Sequence, residues 1–199
     1  MPSIQFYFEF ASPYSYLASL EVEDVAKSAG RTVEWLPIEI PAVWAAHGVL
    51  DAYAAIRHLK RPYIMRDAMR CARMRGVVLA TPSVSARDAS TARLAYWGLR
   101  NQESPIAKQF LQVVWHRYFG QGRSILDLDD LVEASNGIGL DANSIRRAAE
   151  WEGARRAQDS CNADAVASGC FGIPWFMADG EAFFGHDRLT HLATHIGAR

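Results

Sequence analysis

Ile4-Gln5-Phe6-Tyr7-Phe8-Glu9-Phe10-Ala11-Ser12-Pro13-Tyr14-Ser15-Tyr16-Leu17 is the stretch on which the fold turns. Ile4, Phe6, Phe8 and Phe10 alternate with Gln5, Tyr7 and Glu9, the period of two expected of a strand. The alternation ends at Ser12-Pro13, a pair suited to a helix start: serine as cap, proline with its φ already set. Beyond it Ala18, Val22, Val25, Ala26 and Ala29 recur at helical spacing, and Gly30 supplies the stop. Thr32 to Ile40, rich in Val, Trp and Ile, reads as a second strand. Such a β-α-β opening is expected to be parallel and right-handed.

The far end of the chain returns to strands. Trp175-Phe176-Met177 leads into Asp179-Gly180, a favoured dipeptide for a tight hairpin, and Glu181 to Phe184 comes back. Asp187 then begins a last helix through Leu189, Leu192, Ala193 and Ile196. Between the two ends, from about Ala42 to Gly169, the pattern is helical. Candidates are Asp51 to Arg75, Ala89 to Arg100, a helix opened by Ser104-Pro105 and running to about Tyr118, and a short one at Asp129 to Asn136. Asn143 to Ser168 reads as two helices around a break near Cys161. The order β-α-β, helical block, β-β-α predicts an α/β chain: a thioredoxin-like fold with a large all-helical insertion. The expected division is a discontinuous thioredoxin-like domain over 1–41 and 170–199 and an inserted helical domain over 42–169.

The bulk numbers narrow the function classes. A chain of 199 residues, half of them hydrophobic and 22% charged, can bury a sizeable core. The net charge of -1, with no basic tract, gives nucleic-acid binding no electrostatic support. No apolar run approaches the roughly 20 residues of a membrane span, and the first residues lack a signal-peptide pattern. Cys71, Cys161 and Cys170 are an odd count with no CxxC, which suits a reducing compartment. The expected address is cytoplasmic, with no metal centre. His191 and His195 have a ligand-like spacing but no third partner nearby in sequence.

Three constellations could carry chemistry, and each has two open readings. Ser12-Pro13 is a helix cap, or it is a cradle where free amides and the Ser12 hydroxyl stabilise an anion such as a thiolate. Gly172-Ile173-Pro174-Trp175 is a strand entrance, or a cis-proline that leaves the Ile173 backbone free to pair with a peptide-like ligand. Gly185-His186-Asp187 opens the last helix, or it offers amides to a ligand carboxylate while Asp187 meets an ammonium group. Ser12-Pro13-Tyr14-Ser15 has the spacing of a CxxC motif with both sulfurs replaced by hydroxyls, so thiol–disulfide exchange there is excluded.

FEFASPYSYLA at the start, FGIPWF before the hairpin and FFGHDRL after it together resemble the 2-hydroxychromene-2-carboxylate isomerases and kappa-class glutathione transferases. The resemblance covers essentially the whole chain. It implies a glutathione-binding homodimer that acts on a small aromatic or unsaturated substrate. It also implies Ser12 as the catalytic residue and Ile173 and Pro174 as the partners of the cysteinyl backbone. Gly185, His186 and Asp187 would hold the γ-glutamyl end, and Lys60, three residues before Tyr63, would be a further contact. The family more often carries Asn or Ser where this chain has His186. The implied reaction is reversible addition of the glutathione thiolate, held by Ser12, to an aromatic oxo-acid, with rotation about a bond before the thiol leaves.

Two alternatives stand beside this isomerase: a kappa-like glutathione transferase that conjugates electrophiles, and a non-catalytic thioredoxin-like module that grips extended peptides. Two regions depart from the isomerases of aromatic degradation: Ala46-His47-Gly48-Val49, and Pro82-Ser83-Val84-Ser85-Ala86-Arg87.

Overall fold

The computed structural model describes residues 2–83, 89–101 and 105–198. Strand β1 (Ser3–Phe8) runs parallel to β2 (Thr32–Pro37), with Phe6 opposite Trp35. It runs antiparallel to β3 (Trp175–Ala178), with Phe6 opposite Phe176, and β3 pairs antiparallel with β4 (Glu181–Phe184). The sheet order is β2-β1-β3-β4. Phe6 and Phe176 stack at 4.8 Å, Trp35 lies 5.2 Å from Phe6, and Phe6 and Phe176 are completely buried. The Asp179-Gly180 turn has positive φ at both residues, 52° and 83°, as the tight hairpin requires. Arg31 donates to both carboxylate oxygens of Asp179, tying the start of β2 to this turn.

β2 ends earlier than its composition suggests. Pro37 is the last residue of the ladder, opposite Phe8, and a final bond from the Ile38 N–H to the Phe8 carbonyl at 2.8 Å closes it. Ile40 instead begins α3 (Ile40–Ala46). The helix expected from Ala18 to Ala29 is two, α1 (Pro13–Ser19) and α2 (Val22–Ser28). Tight bonds from the Leu20 and Glu21 amides to the Leu17 and Ala18 carbonyls close the first before the second starts. The apolar spacing runs unbroken across the joint, which hid it.

The helical stretch holds α4 (Leu50–Met74), α5 (Ser90–Arg100), α6 (Ile106–Trp115), a wider π turn at His116–Gly120, α7 (Leu128–Ser135), α8 (Ala142–Glu150) and α9 (Glu152–Ala167). Ser104 and Val84 to Arg87 lie outside the described residues. The break in the Asn143–Ser168 segment falls at Trp151, not at Cys161. Trp151 has an extended ψ of 122° and lays its ring against Gly153, where a Cβ would overlap it, while Cys161 sits buried inside α9. A 3-10 turn, His186–Arg188, precedes α10 (Leu189–His195), so Asp187 lies one turn ahead of the last helix proper. Among the described residues no helix is long and apolar enough to cross a membrane, and no cluster of His, Cys, Asp and Glu could hold a metal ion.

The chain forms two compact units. One runs to Arg75 and resumes at Cys161; the other spans Gly76–Ser160. The sheet-bearing unit therefore includes α3 and α4, drawn from the segment read as inserted, and the Glu39 amide in it donates to Asn162 at 2.9 Å. The second unit is organised around α5 packed on α8. Gly98 is the point of closest approach, where a Cβ would lie 2.0 Å from the Ala148 carbonyl oxygen. Gly98→Ala must therefore push the two helices apart. It is expected to cost about 1–3 kcal/mol of stability, read as a lower urea midpoint with an unchanged slope.

Candidate functional site

Ser12 caps α1 with extended dihedrals (φ -91°, ψ 115°), and its Oγ accepts the Ser15 N–H at 3.1 Å. Its own N–H donates to the Glu9 carbonyl at 3.0 Å, and its carbonyl accepts from Tyr16 at 3.0 Å. The backbone of Ser12 is thus fixed while the residue stays half-exposed. Among the described residues its hydroxyl proton has no acceptor, so a ligand can take it. The Ser15 hydroxyl, at the other end of the CxxC-like spacing, is fully buried and likewise has no partner among them.

Two of the chain's own thiols are shifted toward the protonated form. All three cysteines are free. Burial pushes the Cys170 thiol up to about 11, and burial and the Asp67 carboxylate push Cys71 up as well.

The Ile173–Pro174 bond is cis. Ile173 is half-exposed, and neither its N–H nor its C=O has a partner among the described residues. The residues before it are held from α3: Trp44 Nε1 donates to the Phe171 carbonyl and His47 Nε2 to the Cys170 carbonyl, each at 2.9 Å. An imidazole nitrogen facing a carbonyl must be the protonated one. The Phe184 ring lies on Gly172, where a Cβ would come within 2.8 Å of it. Phe171 and Phe184 are both 45% exposed and sit 4.8 Å apart, forming an aromatic rim beside the cis bond.

In the third motif Gly185 has φ +107°, and a side chain there would meet the Asp187 carboxylate at 2.5 Å. Its N–H donates to the Pro174 carbonyl at 2.9 Å, which joins the third motif to the second. His186 is only 8% exposed and stacks on Tyr14 at 4.9 Å, which joins the third motif to the first. The Tyr14 hydroxyl donates to Asp67 at 3.0 Å, and burial together with that carboxylate raises its pKa, so it stays protonated. Arg75 Nη2 donates to His186 Nδ1 at 3.3 Å. Burial, and then the Arg75 charge, lower the His186 pKa and favour the neutral ring. Asp187 is exposed and pairs with the Arg188 guanidinium at 2.9 Å.

Register explains why three motifs so distant in sequence meet. Tyr7 faces Trp175 across the antiparallel ladder, so the chain leaving β1 toward Ser12 runs beside the chain entering β3 from Ile173. Trp175 faces Phe184, so β4 ends and Gly185 begins at that same end of the sheet. Lys60 is not brought into this group directly. It is exposed on α4, its ammonium 5.6 Å over the Tyr53 ring. Tyr53 in turn stacks on Trp44 at 4.4 Å, the residue that holds the Phe171 carbonyl.

Sequence reading missed the polar group behind the site: Glu21, Asp67, Arg70 and Arg75. The one signal was spacing. Asp67, Cys71 and Arg75 fall four apart and so share a face of α4, but nothing local says what that face meets. His195, one of the two spaced histidines, pairs with Glu181 at 3.3 Å.

Residues 3–197 match the model of the DSBA-like thioredoxin domain. The chain is 30% identical over 195 residues to a 2-hydroxychromene-2-carboxylate isomerase of Sphingobium xenophagum, covering 98% of this chain and 97% of that protein. It is 23% identical over 207 residues to a glutathione S-transferase kappa 1 of Caenorhabditis elegans, covering 97% of this chain and 90% of the relative. A solved structure of a 2-hydroxychromene-2-carboxylate isomerase superposes with a TM-score of 0.82 at 25% identity, covering 98% and 94% of the two chains.

The buried His186 makes stability pH-dependent with a definite sign. Folding lowers its proton affinity, so on the acid side of its ordinary 6.5 the unfolded chain binds more protons than the folded one. Stability from this group is complete above that value and is lost as pH falls below it, until the folded ring itself protonates. The urea midpoint is expected to drop between about pH 7 and pH 5, and to drop less in His186→Asn.

Proposed function

We propose, from the premise that the chain belongs to the family of 2-hydroxychromene-2-carboxylate isomerases and kappa-class glutathione transferases, built on the DSBA-like thioredoxin domain, that it is a glutathione-dependent isomerase of an aromatic or unsaturated oxo-acid resembling 2-hydroxychromene-2-carboxylate. The observation that carries the reading is the meeting of three groups at one end of the sheet: the Ser12 hydroxyl proton and the Ile173 main-chain pair, which have no partner among the described residues, and the exposed Asp187 carboxylate, held by its chain neighbour Arg188. Glutathione fits this donor set, because it offers a sulfur anion, a peptide backbone and an α-amino-acid head.

Bound glutathione supplies the thiolate that adds reversibly to the substrate and is released at the end. Ser12 donates its hydroxyl proton as a hydrogen bond to the sulfur, and the Ser15 N–H bonded to Oγ polarises that hydroxyl and orients it. Ile173 pairs with the cysteinyl backbone in β fashion, beside Pro174. Asp187 receives the ammonium in exchange for Arg188, and His186 offers an N–H to the neighbouring carboxylate, while Gly185, whose own N–H is held by the Pro174 carbonyl, supplies the turn that presents them. Lys60, steadied by Tyr53, meets a further carboxylate. Since Cys71 and Cys170 are pushed toward the protonated form, a borrowed thiol is the chemically sensible nucleophile.

The same groups would serve a transferase that releases the adduct, the second reading that the kappa-class relative favours. Glutathione consumption separates the two: an isomerase turns over with the thiol concentration constant, whereas a transferase depletes it mole for mole. Ser12→Ala is expected to retain glutathione affinity by calorimetry while turnover falls about 10²-fold or more, the usual loss for one transition-state donor. Unchanged turnover would remove Ser12 from the chemistry. Asp187→Ala is expected to raise the KM for glutathione far more than it lowers kcat, and a fall in kcat alone would refute the assigned role.

A further inference from the structure

We propose that Arg75 is a positioning residue: by donating to His186 Nδ1 it fixes this ring as the tautomer that presents Nε2–H to the carboxylate at the γ-glutamyl end of glutathione. The inference rests on the cofactor reading above and deepens it.

A guanidinium carries donors only, so the nitrogen it faces at 3.3 Å must be a bare acceptor. A neutral imidazole holds one proton, which therefore sits on Nε2. Among the described residues Nε2 has no hydrogen-bond partner, so the donor is available. Arg75 is itself aimed: Nε pairs with Glu21, and Nη1 donates to the Cys71 carbonyl at 3.2 Å, which leaves Nη2 for the imidazole. The ring cannot swing away easily, because Tyr14 stacks on it and is anchored by its hydroxyl to Asp67. Turning the ring over would set a carbon against Nη2, so the same bond selects the ring's orientation as well.

The charged groups around His186 come from every element packed on it. Asp67 belongs to α4 and Arg75 caps its end, Glu21 precedes α2, and Asp187 is next in chain; Tyr14, from α1, is neutral. Asp187, Asp67 and Glu21 favour a second proton, but burial and Arg75 oppose it and prevail. The ring then recognises a carboxylate as a neutral donor. It needs Arg75 to do so, because Arg75 is what leaves the proton on Nε2.

The test begins with the free protein. In histidine-labelled protein at a pH where the ring is neutral, nitrogen NMR is expected to show His186 protonated on Nε2 alone. In Arg75→Met it should show a mixture of tautomers, and the ring should titrate at higher pH. A wild-type ring protonated on Nδ1, or a tautomer that Arg75→Met does not disturb, overturns the proposal whether or not glutathione binds.

Calorimetry with glutathione supplies the second arm. Arg75→Met should weaken binding about 10-fold, and Arg75→Lys, which keeps a donor, should weaken it less. In a His186→Gln background, where an amide nitrogen replaces Nε2, Arg75→Met should cost little more. An equal loss in both backgrounds would mark Arg75 as merely structural and overturn the proposal. If Arg75→Met does not fold, the wild-type and Arg75→Lys spectra still decide the tautomer. Failure of the wild type to bind glutathione at all would instead sink the cofactor reading, leaving the tautomer result to stand separately.

Discussion

The antiparallel register between β1 and β3, with Tyr7 opposite Trp175, is the constraint that the site depends on. It delivers Ser12 and Ile173 to one end of the sheet from positions 161 residues apart in the chain, and the β3–β4 hairpin adds Gly185 to the same end. A slip of one residue would send every side chain of β1 to the other face and unstack Phe6 from Phe176. The buried aromatic face therefore defends the register, and the register assembles the site. Core packing and function share one cause here.

Behind that end of the sheet the helices are tied by polar contacts rather than by apolar ones alone. Tyr14 connects α1 to α4 through Asp67, and its stacking partner His186 connects both to the segment before α10. Arg75 closes the circuit by reaching Glu21 and His186 together. Each member has a partner on another element, so the group is preorganised for the ligand proposed above. Such preorganisation reduces the entropy lost on binding. A second arrangement acts on the cis-proline loop. Trp44 and His47 hold two successive carbonyls there.

A pair of cysteines in CxxC spacing at a helix start supports disulfide chemistry. In this chain Ser12 and Ser15 occupy that spacing, and the thiols at Cys71 and Cys170 are pushed away from the reactive thiolate form. The position is a capped helix start beside an extended segment whose Ile173 main-chain groups have no partner among the described residues.

The order of elements, the Asp179-Gly180 turn, the Ser12 cap and the three motifs were all legible in the sequence, because each depends on residues within a few positions of one another. Local chemistry decides a cap, a hairpin dipeptide or an alternating strand. The joint at Leu20-Glu21 and the break at Trp151 were not legible. The first hides inside an uninterrupted apolar period, and the second needs Gly153 to receive a ring. The roles of Asp67 and Arg75 belong to tertiary structure alone. A charged residue on a helix acquires its meaning from whatever the fold places opposite it, and here that partner, His186, lies 111 residues further along the chain.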